Sequence, residues 1–236
     1  MKTKNQSMDS EGSFSKLVPV ILKKGIENVN LSMFTDETRN QILEAVGDEY
    51  IKRGSTKEAL STFLLVGNRQ KIVVIGDNYV SMGMYDQAIE SYNVAGSREK
   101  LVQIGDRCIR EGNEGGAIKA FRYANEKEKL NDVGEICIRK GKLDFAIEVF
   151  SVTKNIPKLI EIGDSCAKES HQLENAARAY EAAGDKERMN KVGDTFLKEG
   201  RLSNALITYE AANNEIMINF IKENFSDKDL KKAAYV

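Results

Sequence analysis

The sequence contains no tryptophan, only two prolines, three cysteines and a single histidine among its 236 residues. Three cysteines in a chain of this length are too few for a disulfide framework, which indicates a reducing compartment and predicts a cytoplasmic protein. No stretch approaches the ~18 consecutive apolar residues that a transmembrane helix requires, so we expect no membrane insertion. Residues 1–13 are polar and lack the apolar core of a secretory signal.

The chain also lacks an excess of charge of either sign. It has 35 Lys and Arg against 36 Asp and Glu, a formal net charge of −1. Dedicated nucleic-acid binders normally carry a basic excess on one face, so this balance disfavours nucleic acid as the partner. Hydrophobic residues make up 41% of the chain, too many for a disordered protein. Because aromatic residues and proline are scarce and 30% of residues are charged, the composition favours an all-helical fold.

An internal repeat organises most of the chain. The dipeptide Gly-Asp, once Gly-Glu, recurs at intervals of 29 residues, with one interval of 30. Its glycines are Gly47, Gly76, Gly105, Gly134, Gly163 and Gly193. Seven residues after each glycine, five of the six copies have a second glycine. Self-similarity at such a period is typical of solenoid proteins.

Each copy predicts two short amphipathic helices. In the first copy, Leu43, Val46, Tyr50 and Ile51 follow the i, i+3, i+4, i+7 spacing of one helix face. Gly54 is expected to end that helix, because glycine tolerates a positive φ. The second helix carries a small residue and then an aromatic residue. The small residues are Ala59, Ala88, Ala117, Ala146, Ala177 and Ala205, and the aromatics are Phe63, Tyr92, Phe121, Phe150, Tyr180 and Tyr209.

The first glycine lies inside a predicted helix, where glycine costs about 1 kcal/mol relative to alanine. Its presence therefore requires a packing reason. We expect the two helices of a repeat to approach closely, with the aromatic residue filling the space beside the small residues. A helix pair this short cannot bury its apolar stripe alone, so successive pairs must stack into an α-solenoid.

The spacing resembles the tetratricopeptide signature W-x2-L-G-x2-Y followed by A-x3-F. The first copy has Leu43-x2-Val46-Gly47-x2-Tyr50 and Ala59-x3-Phe63. The resemblance implies an all-α, right-handed superhelix of antiparallel helix pairs. The period of 29 is shorter than the ~34 of the family, and the tryptophan position is aliphatic. The repeats therefore also resemble the shorter helix pairs of clathrin-like and vesicle-coat solenoids.

Four segments are predicted on this basis. Residues 37–213 hold six repeats, residues 14–36 and 214–236 are degenerate repeats that cap the two ends of the stack, and residues 1–13 are a disordered tail. Solenoids need such caps because their terminal repeats would otherwise expose apolar faces.

The acidic residue after each glycine is followed, four residues later, by a basic residue in five of six repeats. The acidic residues are Asp48, Asp77, Asp106, Glu135, Asp164 and Asp194, and the basic residues are Lys52, Arg110, Arg139, Lys168 and Lys198. One interpretation is local helix support of about 0.2–0.5 kcal/mol per pair. The other is a partner-binding surface, because the resemblance implies that first-helix side chains line the concave face and contact ligands.

No catalytic, cofactor or metal site is indicated. Cys108, Cys137 and Cys166 occupy equivalent positions in successive repeats, too far apart for a disulfide or a zinc site, and are predicted to be core residues. His171 stands alone at a predicted turn, and the glycine-rich stretch 112–116 lacks the Gly-Lys-Ser/Thr ending of a phosphate-binding loop. The pattern therefore predicts a protein that is not an enzyme and binds no small molecule.

The sequence predicts a scaffold or adaptor that binds a peptide or helix of another protein on the concave face of the solenoid. The alternative is a helical-repeat RNA-binding or ribosome-associated factor that uses the basic residues. The balanced charge and the lack of aromatic residues outside core positions count against that alternative.

Overall fold

The computed structural model describes residues 16–226. The predicted disordered tail, the first two residues of the predicted N-terminal cap and the end of the predicted C-terminal cap lie outside the described residues.

Within that range the protein has fourteen α-helices and no β-strand. The first helices of the six repeats are α2 (Asp36–Lys52), α4 (Arg69–Ser81), α6 (Arg98–Arg110), α8 (Lys127–Arg139), α10 (Ile156–Cys166) and α12 (Lys186–Lys198). The second helices are α3 (Thr56–Val66), α5 (Tyr85–Ala95), α7 (Glu114–Ala124), α9 (Leu143–Thr153), α11 (Leu173–Ala183) and α13 (Leu202–Ala212). The predicted all-α repeat fold is confirmed.

The remaining helices flank the repeats. Helix α1 (Leu17–Lys24) precedes them and is followed by a 3-10 turn at Ile26–Asn28, and α14 (Glu215–Asn224) follows them. Ile21 of α1 is buried in one cluster with core residues of α2. Ile221 of α14 is also buried, and α14 packs against α13.

The described residues form two compact bodies that divide between Arg107 and Cys108, inside α6. The N-terminal body contains repeats 1 and 2, and the C-terminal body contains repeats 4 to 6. In each body the two helices of a repeat pack against each other, and the second helix packs against the first helix of the next repeat. In the C-terminal body, successive second helices also contact each other directly.

The glycine of the Gly-Asp dipeptide lies against the aromatic ring of the second helix in the same repeat. A Cβ atom added to Gly76 would lie 2.4 Å from the Tyr92 ring, and one added to Gly134 would lie 2.6 Å from the Phe150 ring. Three other repeats have the same contact, in the pairs Gly47–Phe63, Gly163–Tyr180 and Gly193–Tyr209. All five rings are buried. The predicted close approach of the two helices is therefore confirmed, and it leaves no room for a side chain on the first helix.

Positive φ angles occur where the pattern predicts helix ends. The second glycines have them, for example 74° at Gly54, and so do the residues that end the second helices. Those residues are Gly67, Gly96, Asn125, Lys154, Gly184 and Asn213. Lys154 of repeat 4 stands where the other five repeats have glycine or asparagine, and it adopts the same left-handed conformation, with φ 58°.

Repeat 5 corrects one assignment. The pattern placed Ala177 at the small position, but the structure places Ala176 there, with 0% of its surface exposed. The extra residue of this repeat lies upstream, where a 3-10 turn at Ser170–Gln172 replaces the usual glycine turn. Because the insertion shifts the register by one residue, Ala177 falls on the next position and is only half-buried.

We expect Gly134→Ala to lower the free energy of unfolding by about 1–3 kcal/mol, because its Cβ would overlap the buried Phe150 ring. Gly115→Ala is the matched control, since its Cβ would meet nothing closer than 3.8 Å. Helix propensity should make the control neutral or more stable by up to about 1 kcal/mol. Urea unfolding measures both, and equal effects would contradict the assigned packing.

We expect Lys154→Gly to raise the free energy of unfolding by roughly 1 kcal/mol, because it removes the steric cost of a left-handed residue with a Cβ. The reverse change, Gly184→Lys, has open space around it and should lower that free energy by a similar amount. Thermal unfolding of both variants checks the pair. A stabilised Gly184→Lys protein would show that φ does not control stability at these helix ends.

Candidate protein-interaction surface

The acidic residues of the predicted surface have partners within the protein. In four repeats the carboxylate binds a basic side chain 23 or 24 residues later, on the first helix of the next repeat. These ion pairs are Asp48–Lys71 (2.6 Å), Asp77–Lys100 (2.8 Å), Glu135–Lys158 (2.9 Å) and Asp164–Arg188 (3.1 Å). The predicted ion pairs between the acidic residue and the basic residue four positions later do not form. Lys52, for example, lies 3.6 Å from Glu49 rather than pairing with Asp48. The acidic residues therefore link one repeat to the next.

Three of the acidic residues also accept a hydrogen bond from the tyrosine that packs on the preceding glycine. The hydroxyls of Tyr92, Tyr180 and Tyr209 donate to Asp77, Asp164 and Asp194 over 2.6, 2.8 and 2.6 Å. Burial and then the adjacent carboxylate raise the pKa of all three tyrosines. Burial also opposes ionisation of Asp77, but hydrogen bonds from Lys100 and Tyr92 outweigh it and lower the pKa of that carboxyl.

Sequence reasoning missed these partners, although the sequence contains a signal for them. A basic residue stands 23 or 24 residues after the acidic residue in five repeats, at Lys71, Lys100, Lys129, Lys158 and Arg188. Asp106, the remaining acidic residue, also has an interaction within the protein. The acidic half of the predicted surface is thus already engaged.

The basic residues of the predicted surface are exposed. Lys52, Arg110, Arg139 and Lys198 end their helices, and Lys168 follows α10 by two residues. We call Arg110, Arg139, Lys168 and Lys198 the basic row; all four belong to the C-terminal body, and none forms an ion pair with another described residue. Their location at helix C-termini is favourable by about 0.3–1 kcal/mol each. The four exposed charges are therefore available to bind a partner.

Two lysines beside Arg139, unlike the basic row, form ion pairs with a buried carboxylate. Glu114 at the start of α7 is 3% exposed, and its two oxygens each lie 2.6 Å from Nζ of Lys140 or Lys142. These hydrogen bonds lower the pKa of Glu114 to about 2. The turn between α8 and α9 is thereby held against α7, and only Arg139 of its cations remains unengaged.

The sequence also predicts no functional site for the cysteines and the other side chains that could bind a metal ion. Cys108, Cys137 and Cys166 are buried and form no disulfide, and burial raises the pKa of Cys137 and Cys166. Between residues 16 and 226, no three His, Cys, Asp or Glu side chains are arranged to hold a metal ion. No helix in that range is long and apolar enough to cross a membrane.

We expect Glu114→Gln to lower the free energy of unfolding at pH 7 by about 1.5–3 kcal/mol, since it removes charged hydrogen bonds from a buried site. The folded pKa lies below the ordinary value of 4.5. The stabilisation that the ionised Glu114 contributes is therefore fully present above pH 4.5 and is lost as the pH falls toward 2. Denaturant unfolding from pH 7 to pH 2 should show the two proteins converging. Glu128→Gln, at an exposed residue outside any described ion pair, should differ from wild type by under about 0.5 kcal/mol throughout.

One family model matches a part of the chain. The family model described as tetratricopeptide repeat matches residues 72–95, which span most of α4 and all of α5. No curated protein matches the chain. The chain is similar to the structure titled "Crystal structure of APC/C hetero-tetramer Cut9-Hcn1", with 16% identity over 94% of this chain and 46% of that chain and a TM-score of 0.25.

It is also similar to a "Circular tandem repeat protein with novel repeat topology and enhanced subunit contact surfaces", with 14% identity over 95% of this chain and 57% of that chain and a TM-score of 0.25. The chain thus spans about half the length of both structures. The family match falls on one repeat, and the same glycine, aromatic ring and helix ends recur in the neighbouring repeats. The chain is therefore a tetratricopeptide-like helical repeat protein with repeats of 29 residues.

Proposed function

We propose that this protein is a non-enzymatic interaction scaffold or adaptor that binds a peptide or helix of another protein along the first-helix side of its repeats. That side corresponds to the concave face of the tetratricopeptide arrangement. One observation carries the proposal: the basic row consists of exposed cations that form no ion pair within residues 16–226, although acidic residues are abundant nearby.

The acidic residues have a separate part in this proposal. Glu135 and Asp164 are held by ion pairs to the following repeat, so they hold neighbouring first helices in register. The cations are then presented at regular steps. A partner segment that carries acidic side chains at a matching regular spacing would suit the row.

RNA is the alternative partner of the same cations. Phosphates would suit the basic row, but base recognition on single strands usually uses exposed aromatic rings. The aromatic rings that recur in the repeats are buried against glycine, as Tyr92 and Phe150 show. A partner protein therefore fits the surface better.

The test is a double charge reversal, Arg139→Glu with Lys168→Glu. Because both side chains are exposed and outside any described ion pair, only their favourable location at helix C-termini is lost, and the free energy of unfolding should fall by about 1–2 kcal/mol. Proteins captured from a lysate of the native source should fall at least about tenfold, since misplaced like charges in an interface cost several kcal/mol. Quantitative mass spectrometry of the captured proteins measures the change.

Lys127→Glu with Lys186→Glu is the matched control, because these lysines begin α8 and α12 and carry the same charge change to the opposite helix ends. The control should capture as wild type does. Undiminished capture by the Arg139 and Lys168 variant would refute the role of the basic row. Capture that disappears after ribonuclease treatment would favour the RNA-binding alternative.

A further inference from the structure

A separate apolar groove opens in the C-terminal body between the second helices α11 and α13. It encloses a cavity of about 230 Å³. Met189 and Phe196 of α12 form its floor and are 2% and 1% exposed. Ala177 of α11 and Ile207 of α13 lie on its two walls. The groove is outside the basic row, and the scaffold function proposed above does not require it.

The groove exists because one aliphatic side chain of the repeat is missing. With the insertion in repeat 5 taken into account, Ala177 occupies the position that holds isoleucine or leucine in every other repeat. The equivalent residues are Leu60, Ile89, Ile118, Ile147 and Leu206. Ile89, Ile118 and Ile147 are at most 4% exposed. The space that these side chains fill in repeats 2 to 4 is therefore open at Ala177.

The opposite departure occurs on the facing wall. Ile207 is 66% exposed, whereas the other five repeats have a polar or charged residue at its position. Those residues are Ser61, Glu90, Lys119, Glu148 and Arg178. One repeat has thus lost a buried aliphatic side chain, and its neighbour has gained an exposed one across the same groove. Two departures that both favour an apolar opening are not what stability alone would select.

The second helices of repeats 4 to 6 carry more acidic than basic residues. Helices α9, α11 and α13 carry five acidic residues, Asp144, Glu148, Glu174, Glu181 and Glu210, and one basic residue, Arg178. Four of the five acidic residues are ion-paired, Asp144 with Arg178, Glu148 with Arg122, Glu174 with Arg201 and Glu210 with Lys222. Glu181 lines the groove and has no ion-pair partner among the described residues. A basic group on a bound segment would satisfy it.

We propose that this groove binds a segment of a partner protein that inserts one leucine or isoleucine side chain against Met189 and Phe196 and places a lysine or arginine beside Glu181. The partner side chain would occupy the space that isoleucine fills in repeats 2 to 4. Small-molecule sites usually enclose about 300–1,000 Å³, so the groove is too small for a cofactor-sized ligand. A second copy of this chain that docked through the same groove would bring the unpaired Glu181 of both copies to the interface and supply no basic group.

Selection from a phage-displayed library of random dodecapeptides against the full chain tests the proposal. We expect the enriched peptides to share a leucine or isoleucine within one helical turn of a lysine or arginine. Synthetic versions should bind Ala177→Ile at least tenfold more weakly, because the new side chain fills the cavity, and should bind Glu181→Lys several-fold more weakly. Glu128→Lys, the same charge change on the exposed face of α8, should bind as wild type does.

Thermal unfolding accompanies each binding measurement, and Ala177→Ile should be at least as stable as wild type. If that variant is unstable, Ile207→Ser replaces it, because serine stands at this position in repeat 1; the same tenfold loss is expected. Three results would overturn the proposal: no enrichment, enriched peptides that bind the Ala177 and Ile207 variants as tightly as wild type, or acidic peptides that depend on the basic row. Concentration-dependent dimerisation that Ala177→Ile abolishes would assign the groove to a second copy instead.

Discussion

The contact between a bare glycine backbone and an aromatic ring determines the geometry of each repeat. The glycine costs helix stability, about 1 kcal/mol relative to alanine. In return, the ring of the second helix lies directly on the first helix, within 3 Å of where a Cβ atom would be. A buried aromatic side chain contributes about 1.5–3 kcal/mol through the hydrophobic effect, which outweighs the cost of the glycine. Any larger residue would force the helices apart and expose the ring.

The acidic residue beside that glycine connects this local contact to the next repeat. In repeat 2, Asp77 accepts the Tyr92 hydroxyl from its own second helix and the Lys100 ammonium from the following first helix. In repeat 1 the ring is Phe63, which has no hydroxyl, and among residues 16–226 the Asp48 carboxylate binds Lys71 alone. The pairs are partly exposed, so each contributes modestly. The acidic residue is thus held by an ion pair to the next repeat in repeats 1, 2, 4 and 5, and by the Tyr209 hydroxyl in repeat 6.

Regularity also makes the departures informative. Glycine, aromatic ring and acidic residue are maintained along the repeats because all of them are needed for stacking. Ala177 and Ile207 break the pattern at neighbouring positions without disturbing those contacts. In a repeat protein, a change that removes core packing from one repeat and exposes an apolar side chain on the next is better explained by binding than by stability.

The sequence by itself determined the repeat, its helix pairs and most helix ends, because glycine, alanine and aromatic residues have strong local and packing preferences that recur every 29 residues. The sequence also identified which charged positions recur. Only the tertiary structure decided the partners of those charged residues. The periodicity suggested that Asp48 faces Lys52, whereas the Asp48 carboxylate binds Lys71 across the repeat junction. The tertiary structure likewise placed Ala176 rather than Ala177 in the core and revealed the groove between α11 and α13. Ion pairs and cavities depend on distances between segments that are far apart in sequence, and a spacing rule for one helix does not contain those distances.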